Sequence, residues 1–290
     1  MIIFLLSFST VALSAQVTWT EDWEGAIAQA KKEGKDLLVN FTGSDWCSWC
    51  MKLSDEVFSK SQYVQEAEKK FIHVKLDYPQ RLPQTPAMKA RNRQLADTYG
   101  VEGYPTILLM DSQLRVYGKT GYQAGGAGAY LTHLEGFRKD KPKLFPLLDK
   151  ANTSTGAEKA KLLDQFLTSA ETLGLEGYYS NLPPQIIAAD ANGSAGLRVK
   201  YQIRAELNTL LSTLTENSDF SKTEKDLQTL EGKAGSIPLV KQEVMYFRAM
   251  VIINGSKDTA RGKKLLEEVQ KIDPTSRIGK AIPQIIAQIK

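Results

Sequence analysis

Cysteine and histidine are scarce in this 290-residue chain, which has two of each. His73 and His133 are far apart and lack the close spacing of a ligand pair. A zinc site built on Cys47 and Cys50 would therefore be missing its other half. No third cysteine is present to form a separate structural disulfide. We predict no metal site and no bound cofactor.

Long runs of one charge are also missing. The net charge of +4 comes from 37 basic and 33 acidic residues, and no block of five or six like charges occurs. Hydrophobic residues at 42% and charged residues at 24% are typical of a soluble folded protein. Because nucleic-acid binding usually needs a concentrated basic patch, the charge pattern argues against a nucleic acid as partner.

The only long apolar run lies at the start of the chain, from Ile2 to Leu13. This run is too short to span a bilayer core of about 30 Å. The small residues Ser14 and Ala15 follow it, which predicts a secretory signal peptide over residues 1–15. No Lys or Arg precedes the run, so a buried N-terminal strand or a wrongly assigned start codon is the alternative. After cleavage we expect no membrane span and a periplasmic or otherwise extracytoplasmic location.

Strand and helix patterns alternate in the first half of the remaining chain. This order predicts a mixed central sheet with helices on both faces over residues 16–140. Thr20 is the predicted N-cap of the first helix, which ends before Gly34, and a second helix is predicted from Cys47 to Phe58. The predicted strands are Asp36–Thr42, Phe71–Tyr78, Thr106–Met110 and Gln113–Lys119.

Residues 141–290 have only helical patterns, which predicts an all-α second domain. Pro142 and Pro146 should interrupt a helix near the boundary, so a fragment that ends at about Asp140 is expected to fold alone. Near the end, Lys241–Ile253 and Thr259–Ile272 resemble one helical-hairpin repeat of the tetratricopeptide kind, although one unit is not an array. This domain is a candidate surface for a protein partner.

Cys47 and Cys50 form the one strong chemical motif, at a point where a predicted strand passes through a loop into a helix. A thiol at a helix N-terminus faces free N–H groups and the positive end of the helix dipole, which stabilise the thiolate. Cys47 is therefore the predicted nucleophile, and Cys50, one turn later, is the predicted resolving cysteine. A purely structural disulfide is the alternative, although bridging so short a loop would stabilise the fold only weakly.

Two segments together resemble the thioredoxin superfamily. The segment Val39–Cys50 contains the sequence WCSWC, and the segment Gly103–Thr106 enters a predicted strand as GYPT. The longer sequence FTGSDWCSWC and the segment LDYPQR are similar to exported thioredoxin-like proteins related to the catalytic domains of thiol:disulfide interchange proteins. The resemblance covers about half of the mature chain and implies a thioredoxin fold for residues 16–140.

The resemblance also implies roles for individual residues. It implies a redox-active disulfide between Cys47 and Cys50 and a cis peptide bond before Pro105. Tyr104 and Pro105 would then contact an extended substrate. Trp46 and Trp49 flank the thiols with flat apolar surface and are predicted to join this substrate-binding set.

Two positions depart from the family pattern. Thioredoxins usually have a buried Asp where this chain has Asn40, and interchange-protein domains often have a Glu where it has Ser54. Because neither residue can take a proton from Cys50, the proton acceptor is open. Asp45 and Glu56 are candidates, with solvated surface carboxylates as the alternative interpretation.

The residues and the resemblance together predict a thiol–disulfide oxidoreductase of the protein-disulfide reductase or interchange type. Its partners would be protein dithiol or disulfide substrates from the exported proteins and an upstream thiol donor. Neither Ser48 nor Trp49 adds a positive charge, which favours a moderately reducing potential. A non-catalytic thioredoxin-fold binding module and a Cu(I) metallochaperone are the alternatives. No cluster of methionines accompanies the cysteines, which argues against the second.

Overall fold

The computed structural model describes residues 16–235 and 237–289. The predicted signal peptide, residues 1–15, lies outside them. The described residues divide into two compact units, of which the first comprises those up to Leu147 together with Phe166–Ser180. The second comprises Leu148–Gln165 and the described residues from Asn181 onward. None of the helices in the described ranges is long and apolar enough to cross a membrane.

A five-stranded mixed sheet forms the centre of the first unit. The strands are β1 (Trp19–Thr20), β2 (Asp36–Thr42), β3 (Phe71–Asp77), β4 (Thr106–Met110) and β5 (Val116–Thr120). Their spatial order is β1-β3-β2-β4-β5. β3 runs parallel to β1 and β2, whereas β4 runs antiparallel to β2 and β5. Every residue of β2 and β4 is buried, as expected for central strands of a covered sheet.

Helices lie between and after the strands of the first unit. They are α1 (Trp23–Glu33), α2 (Ser48–Leu53), α3 (Ser61–Ala67), α4 (Pro86–Thr98) and the beginning of α5 (Gly126–Thr153). The predicted mixed sheet with helices is therefore confirmed. The predicted cap of α1 was wrong, because Thr20 lies in β1 and the Asp22 carboxylate accepts the Gly25 N–H at 3.1 Å instead.

The predicted helix from Cys47 to Phe58 consists of two parts. α2 passes directly into a π-helical turn, Ser54–Phe58, in which the Ser59 N–H donates to the Ser54 carbonyl at 2.9 Å. A π-helical turn inserts one extra residue into the helical path and changes the direction of the side chains after it. Val57 and Phe58 are buried here, and Glu56 stays at the surface.

Helix α5 continues through both of its prolines. Pro142 and Pro146 lie inside it, so the prediction that they interrupt a helix was wrong. A proline removes one backbone hydrogen bond and crowds the preceding turn, but tertiary contacts can offset that cost. Phe145 is buried, with the Arg115 guanidinium 4.1 Å from its ring centroid, and Lys141 pairs with buried Asp36 at 2.5 Å. The domain boundary at residue 140 therefore stays a prediction, but the two prolines no longer support it.

All regular secondary structure in the described residues of the second unit is helical, as predicted. Two apolar clusters lie in its core, one contributed by α8, α9 and α10 and the other by α10, α11 and α12. Tyr246 and Phe247 are neighbours on α10 that pack against different clusters. The helices after α5 are α6 (Gly156–Thr172), α7 (Leu182–Ala189), α8 (Arg198–Ser212), α9 (Phe220–Ala234), α10 (Pro238–Asn254), α11 (Thr259–Ile272) and α12 (Arg277–Gln288), with a 3-10 turn at Glu176–Tyr179.

Candidate redox site

Cys47 and Cys50 lie where β2 passes through a short loop into α2. Cys47 is the N-cap of α2, and a disulfide joins it to Cys50 in the first turn of the helix. The Cys50 N–H donates to the Cys47 Sγ at 3.2 Å. Both residues are 6% exposed, so exposure does not distinguish them in the disulfide form. The position at the helix start does distinguish them, because an anion at Cys47 would meet N–H groups that have no partner within the helix.

Trp46 lies directly before Cys47 and is fixed on three sides. Its Nε1–H donates to the Tyr78 carbonyl at 2.8 Å, and its ring lies edge-on to Tyr104 with 5.7 Å between centroids. The indole also packs on Gly43, where an added Cβ would come within 2.5 Å of the ring. Trp46 is still 37% exposed, so its fixed ring presents apolar surface to solvent beside the disulfide.

Tyr104 and Pro105 lie directly before β4, and the peptide bond between them is cis. Tyr104 contacts Tyr78 as well as Trp46, with 5.0 Å between the tyrosine ring centroids. Burial raises the pKa of Tyr104, so its hydroxyl stays neutral at physiological pH. Tyr104 thus links the loop before Cys47 to the edge of the sheet at which β4 begins.

Trp49 lies between the two cysteines and is 54% exposed. Its ring is 5.2 Å from the ring of Tyr122, and the Lys52 Nζ is 5.3 Å from the Trp49 ring centroid. The Tyr122 hydroxyl donates to the Glu56 carboxylate at 2.6 Å. Tyr122 and Glu56 together raise the pKa of Lys52. A second indole is therefore held beside the disulfide by its own set of neighbours.

Asp45 and Glu56, the two candidate proton acceptors for Cys50, have other partners. Asp45 accepts three backbone N–H groups, from Gln80, Arg81 and Leu82, at 2.9, 2.6 and 2.8 Å. These hydrogen bonds lower the pKa of Asp45, and the one from Gln80 has the largest effect. The lowered pKa makes Asp45 a poor base. Glu56 accepts the hydrogen bond from Tyr122. The surface-carboxylate interpretation describes both residues better.

Asn40 occupies a buried position in β2 and is 7% exposed. Its Oδ1 is buried and has no hydrogen-bond partner among the residues that the structure describes. An amide here cannot exchange a proton with a thiol, so the chain has a neutral group at the position where the sequence resemblance leads one to expect a carboxyl group.

Both histidines have hydroxyl partners. The His73 Nε2 is 3.1 Å from the Tyr63 hydroxyl, and the His133 Nε2 is 2.8 Å from Thr120 Oγ1. Burial lowers the pKa of His73 to about 3 and also lowers that of His133. Within residues 16–235 and 237–289, no group of three or more His, Cys, Asp or Glu side chains is placed to hold a metal ion.

The sequence reasoning missed Tyr78 and Tyr122, the two tyrosines that hold the indoles. A topological signal was available for Tyr78, because it directly follows β3, and the carboxyl ends of the parallel strands β2 and β3 meet at one edge of the sheet. Tyr122 follows β5, whose end lies beside the start of β4 in the antiparallel pair. The end of each strand therefore indicated proximity to the site, although the ring contacts themselves were not predictable.

Known proteins resemble this chain mainly in the first unit. The thioredoxin-like family profile matches residues 18–112. The disulfide bond reductase DsbH of Chlamydia pneumoniae is 30% identical over 122 residues, which cover 42% of this chain and 73% of the relative. The thioredoxin-related protein DsbJ of the same organism is 27% identical over 187 residues, which cover 59% of this chain and about half, 54%, of the relative.

A solved structure titled DsbH Oxidoreductase is also similar. It has 27% identity and a TM-score of 0.43, and the match covers 47% of this chain and 94% of that structure. The identity to DsbH over most of that relative's length, together with the matching profile, establishes the family. The chain belongs to the thioredoxin-like family of thiol–disulfide oxidoreductases.

Proposed function

We propose that this protein reduces disulfides in exported polypeptides through Cys47 and Cys50. The observation that carries the proposal is the disulfide at the start of α2, flanked by two exposed indole rings. The name of the relative DsbH, a disulfide bond reductase, supports the reducing direction. The apolar run at Ile2–Leu13 supports an extracytoplasmic location.

The reaction begins with the dithiol form of the protein. The Cys47 thiolate attacks one sulfur of the substrate disulfide, forms a mixed disulfide and releases the other substrate sulfur as a thiolate, which takes up a proton. The Cys50 thiolate then attacks the Cys47 sulfur and releases the second substrate thiolate, which is also protonated. Two electrons pass to the substrate, and the Cys47–Cys50 disulfide seen in the structure is the product. An upstream dithiol donor restores the dithiol by the same exchange in reverse.

The surface around the disulfide supports a polypeptide substrate. Trp46 directly precedes Cys47 and Trp49 directly precedes Cys50, and both present exposed apolar rings. Tyr104, which contacts Trp46, and Pro105 lie at the edge of the sheet where β4 begins. Rigid aromatic rings contribute large contact area at a small entropic cost, which suits binding to chain segments of varied sequence. These four residues form the proposed substrate-binding set. The helical unit is proposed to recruit a protein partner.

A redox titration combined with a reductase assay tests this function. The full chain after the signal peptide is equilibrated with glutathione or dithiothreitol buffers, and its thiols are counted. We expect a midpoint between about −200 and −270 mV, the range from glutaredoxins to thioredoxin. We also expect the protein to accelerate the reduction of insulin by dithiothreitol. The Cys47→Ser variant is the matched control and should not accelerate it.

Other results would favour other functions. A midpoint near −120 mV, the value of a strong oxidant, would contradict the reducing direction. A pair that exchanges with neither buffer would favour a non-catalytic binding module. Tight binding of Cu(I) by the reduced protein without insulin reduction would favour a metallochaperone.

A further inference from the structure

The backbone of residues 80–82 is attached to the loop before Cys47. The Asp45 carboxylate accepts the N–H groups of all three residues, at distances of 2.6 to 2.9 Å. Hydrogen bonds to an ionised acceptor are stronger than neutral ones. One side chain, two positions before Cys47, therefore determines the path of this segment.

The neighbours of Asp45 hold the same stretch of chain. The Ser44 hydroxyl and N–H donate to Asp77 at 2.6 and 3.0 Å, and Trp46 donates to the Tyr78 carbonyl. Three consecutive residues of the loop thus bind the chain at the last residue of β3 and just after it. The loop before Cys47 and residues 77–82 therefore form one hydrogen-bonded structure.

Leu82 is an exposed apolar residue whose backbone is fixed by this hydrogen-bonded structure. It is 56% exposed, and its N–H is one of the groups bound by Asp45. Leu82 is one of six large apolar side chains that are exposed among the described residues. Three of the other five lie within the WCSWC segment or directly after it: Trp46, Trp49 and Met51. An apolar side chain on a fixed backbone beside a substrate surface extends that surface at little entropic cost.

We propose that Asp45 is a positioning residue that sets residues 80–82 as the rim of the substrate surface, where Leu82 contacts the polypeptide next to the reacting cysteine. The occupant is the substrate polypeptide itself, because the rim is continuous with Trp46 through hydrogen bonds. This inference rests on the proposed function. A small disulfide reaches the sulfurs without meeting the rim, so the rim should favour protein disulfides over small ones.

The test compares two disulfides in the full chain after the signal peptide. The reduced protein is mixed with insulin or with 5,5′-dithiobis(2-nitrobenzoic acid), and the second-order rate constant is measured for each. The readout is the ratio of the insulin rate constant to the small-disulfide rate constant. We expect Asp45→Asn and Leu82→Ser each to lower this ratio about fivefold, as for truncation of a moderate interface contact.

Matched controls come from the helical unit. Asp219 is also a carboxylate that accepts a backbone N–H, from Lys222 at 3.0 Å, and Leu239 is 49% exposed. Asp219→Asn and Leu239→Ser should keep the wild-type ratio even where Asp219→Asn lowers the melting temperature. Loss of stability alone therefore cannot imitate the expected result.

Each remaining outcome has one meaning. A wild-type ratio in Asp45→Asn, or an equal loss of rate with both disulfides, would overturn the positioning role, and a wild-type ratio in Leu82→Ser would overturn the contact. A wild-type protein that reacts with neither disulfide would instead refute the proposed function, and this inference with it.

Discussion

A fragment that ends at Asp140 should be much less stable than one that ends at Ser180. The first unit includes Phe166–Ser180 as well as the chain up to Leu147. Phe145 lies 6.3 Å from Tyr117 between ring centroids, and Phe166 and Tyr179 pack edge to face at 4.6 Å. The Tyr179 hydroxyl donates to the Val116 carbonyl in β5 at 2.5 Å. A cut at Asp140 removes the three aromatic side chains at 145, 166 and 179.

The size of the effect follows from burial. Phe145, Phe166 and Tyr179 are 3%, 0% and 6% exposed. Burying a large apolar side chain contributes about 1.5 to 3 kcal/mol, so the three together contribute roughly 5 to 9 kcal/mol. The free energy of unfolding of a typical domain is only about 5 to 15 kcal/mol. The cut also removes Lys141, one of the two ion-pair partners of buried Asp36, and leaves the more distant Arg138 in place. Most of the stability of the first unit should be lost.

Urea unfolding of fragments 16–140 and 16–180 measures this difference. We expect 16–180 to unfold cooperatively and to react through Cys47, and 16–140 to show no native baseline or a much lower midpoint. Equal midpoints would refute the reasoning, because residues 141–180 would then contribute nothing to the first unit, and the boundary predicted at residue 140 would be right.

Three further predictions concern His73, position 40 and the two tryptophans next to the cysteines. Burial gives His73 a folded-state pKa of about 3, below the unfolded value of about 6.5. Its contribution to stability is therefore complete above pH 6.5, and roughly 3 to 6 kcal/mol is lost as the pH falls to 3. His73→Gln should flatten this part of the unfolding free energy measured against pH, and a flat wild-type curve would contradict the assignment. Asn40→Asp introduces a carboxyl group at a buried position, where burial should raise its pKa in the folded state. The free energy of unfolding of this variant, measured in urea, should therefore fall as the pH rises above about 4. A variant that becomes more stable as the pH rises would disprove this. Because Trp46 and Trp49 adjoin the disulfide, which quenches indole emission, tryptophan fluorescence should rise on reduction, and an unchanged spectrum would argue against this geometry.

The sequence was most informative where burial imposes a clear pattern. Asp36–Thr42 and Thr106–Met110 were predicted with the bounds that the structure has, because central strands form continuous apolar runs between glycine or proline signals. β1 was missed because a two-residue edge strand is too short to show a pattern, and its pairing with β3 is a tertiary contact. Thr20 is a good helix-capping residue by type, but Asp22 caps α1 because the strand pairing holds Thr20 in β1.

The reacting cysteines of the site could be predicted from the sequence, but the contacts that position the residues around them could not. Cys47, Cys50 and the residues beside them follow from a local motif, and local motifs survive without knowledge of the fold. The contacts of Asp45 join positions 35 to 37 residues apart in the chain, and no periodicity encodes such a pairing. For the same reason, the packing of Phe145 that stabilises α5 beside its two prolines was not visible in the helical pattern.

Trapping the mixed disulfide tests most directly whether Cys47 and Cys50 exchange disulfides with proteins. Each single-cysteine variant in its reduced form is mixed with disulfide-containing exported proteins and run on a non-reducing gel. Cys50→Ser should form adducts that disappear with dithiothreitol, because Cys47 attacks and no thiol resolves the product, whereas Cys47→Ser should form none. Adducts only on Cys47→Ser would reverse the assigned roles, and adducts on neither variant would contradict the claim that Cys47 and Cys50 exchange disulfides with proteins.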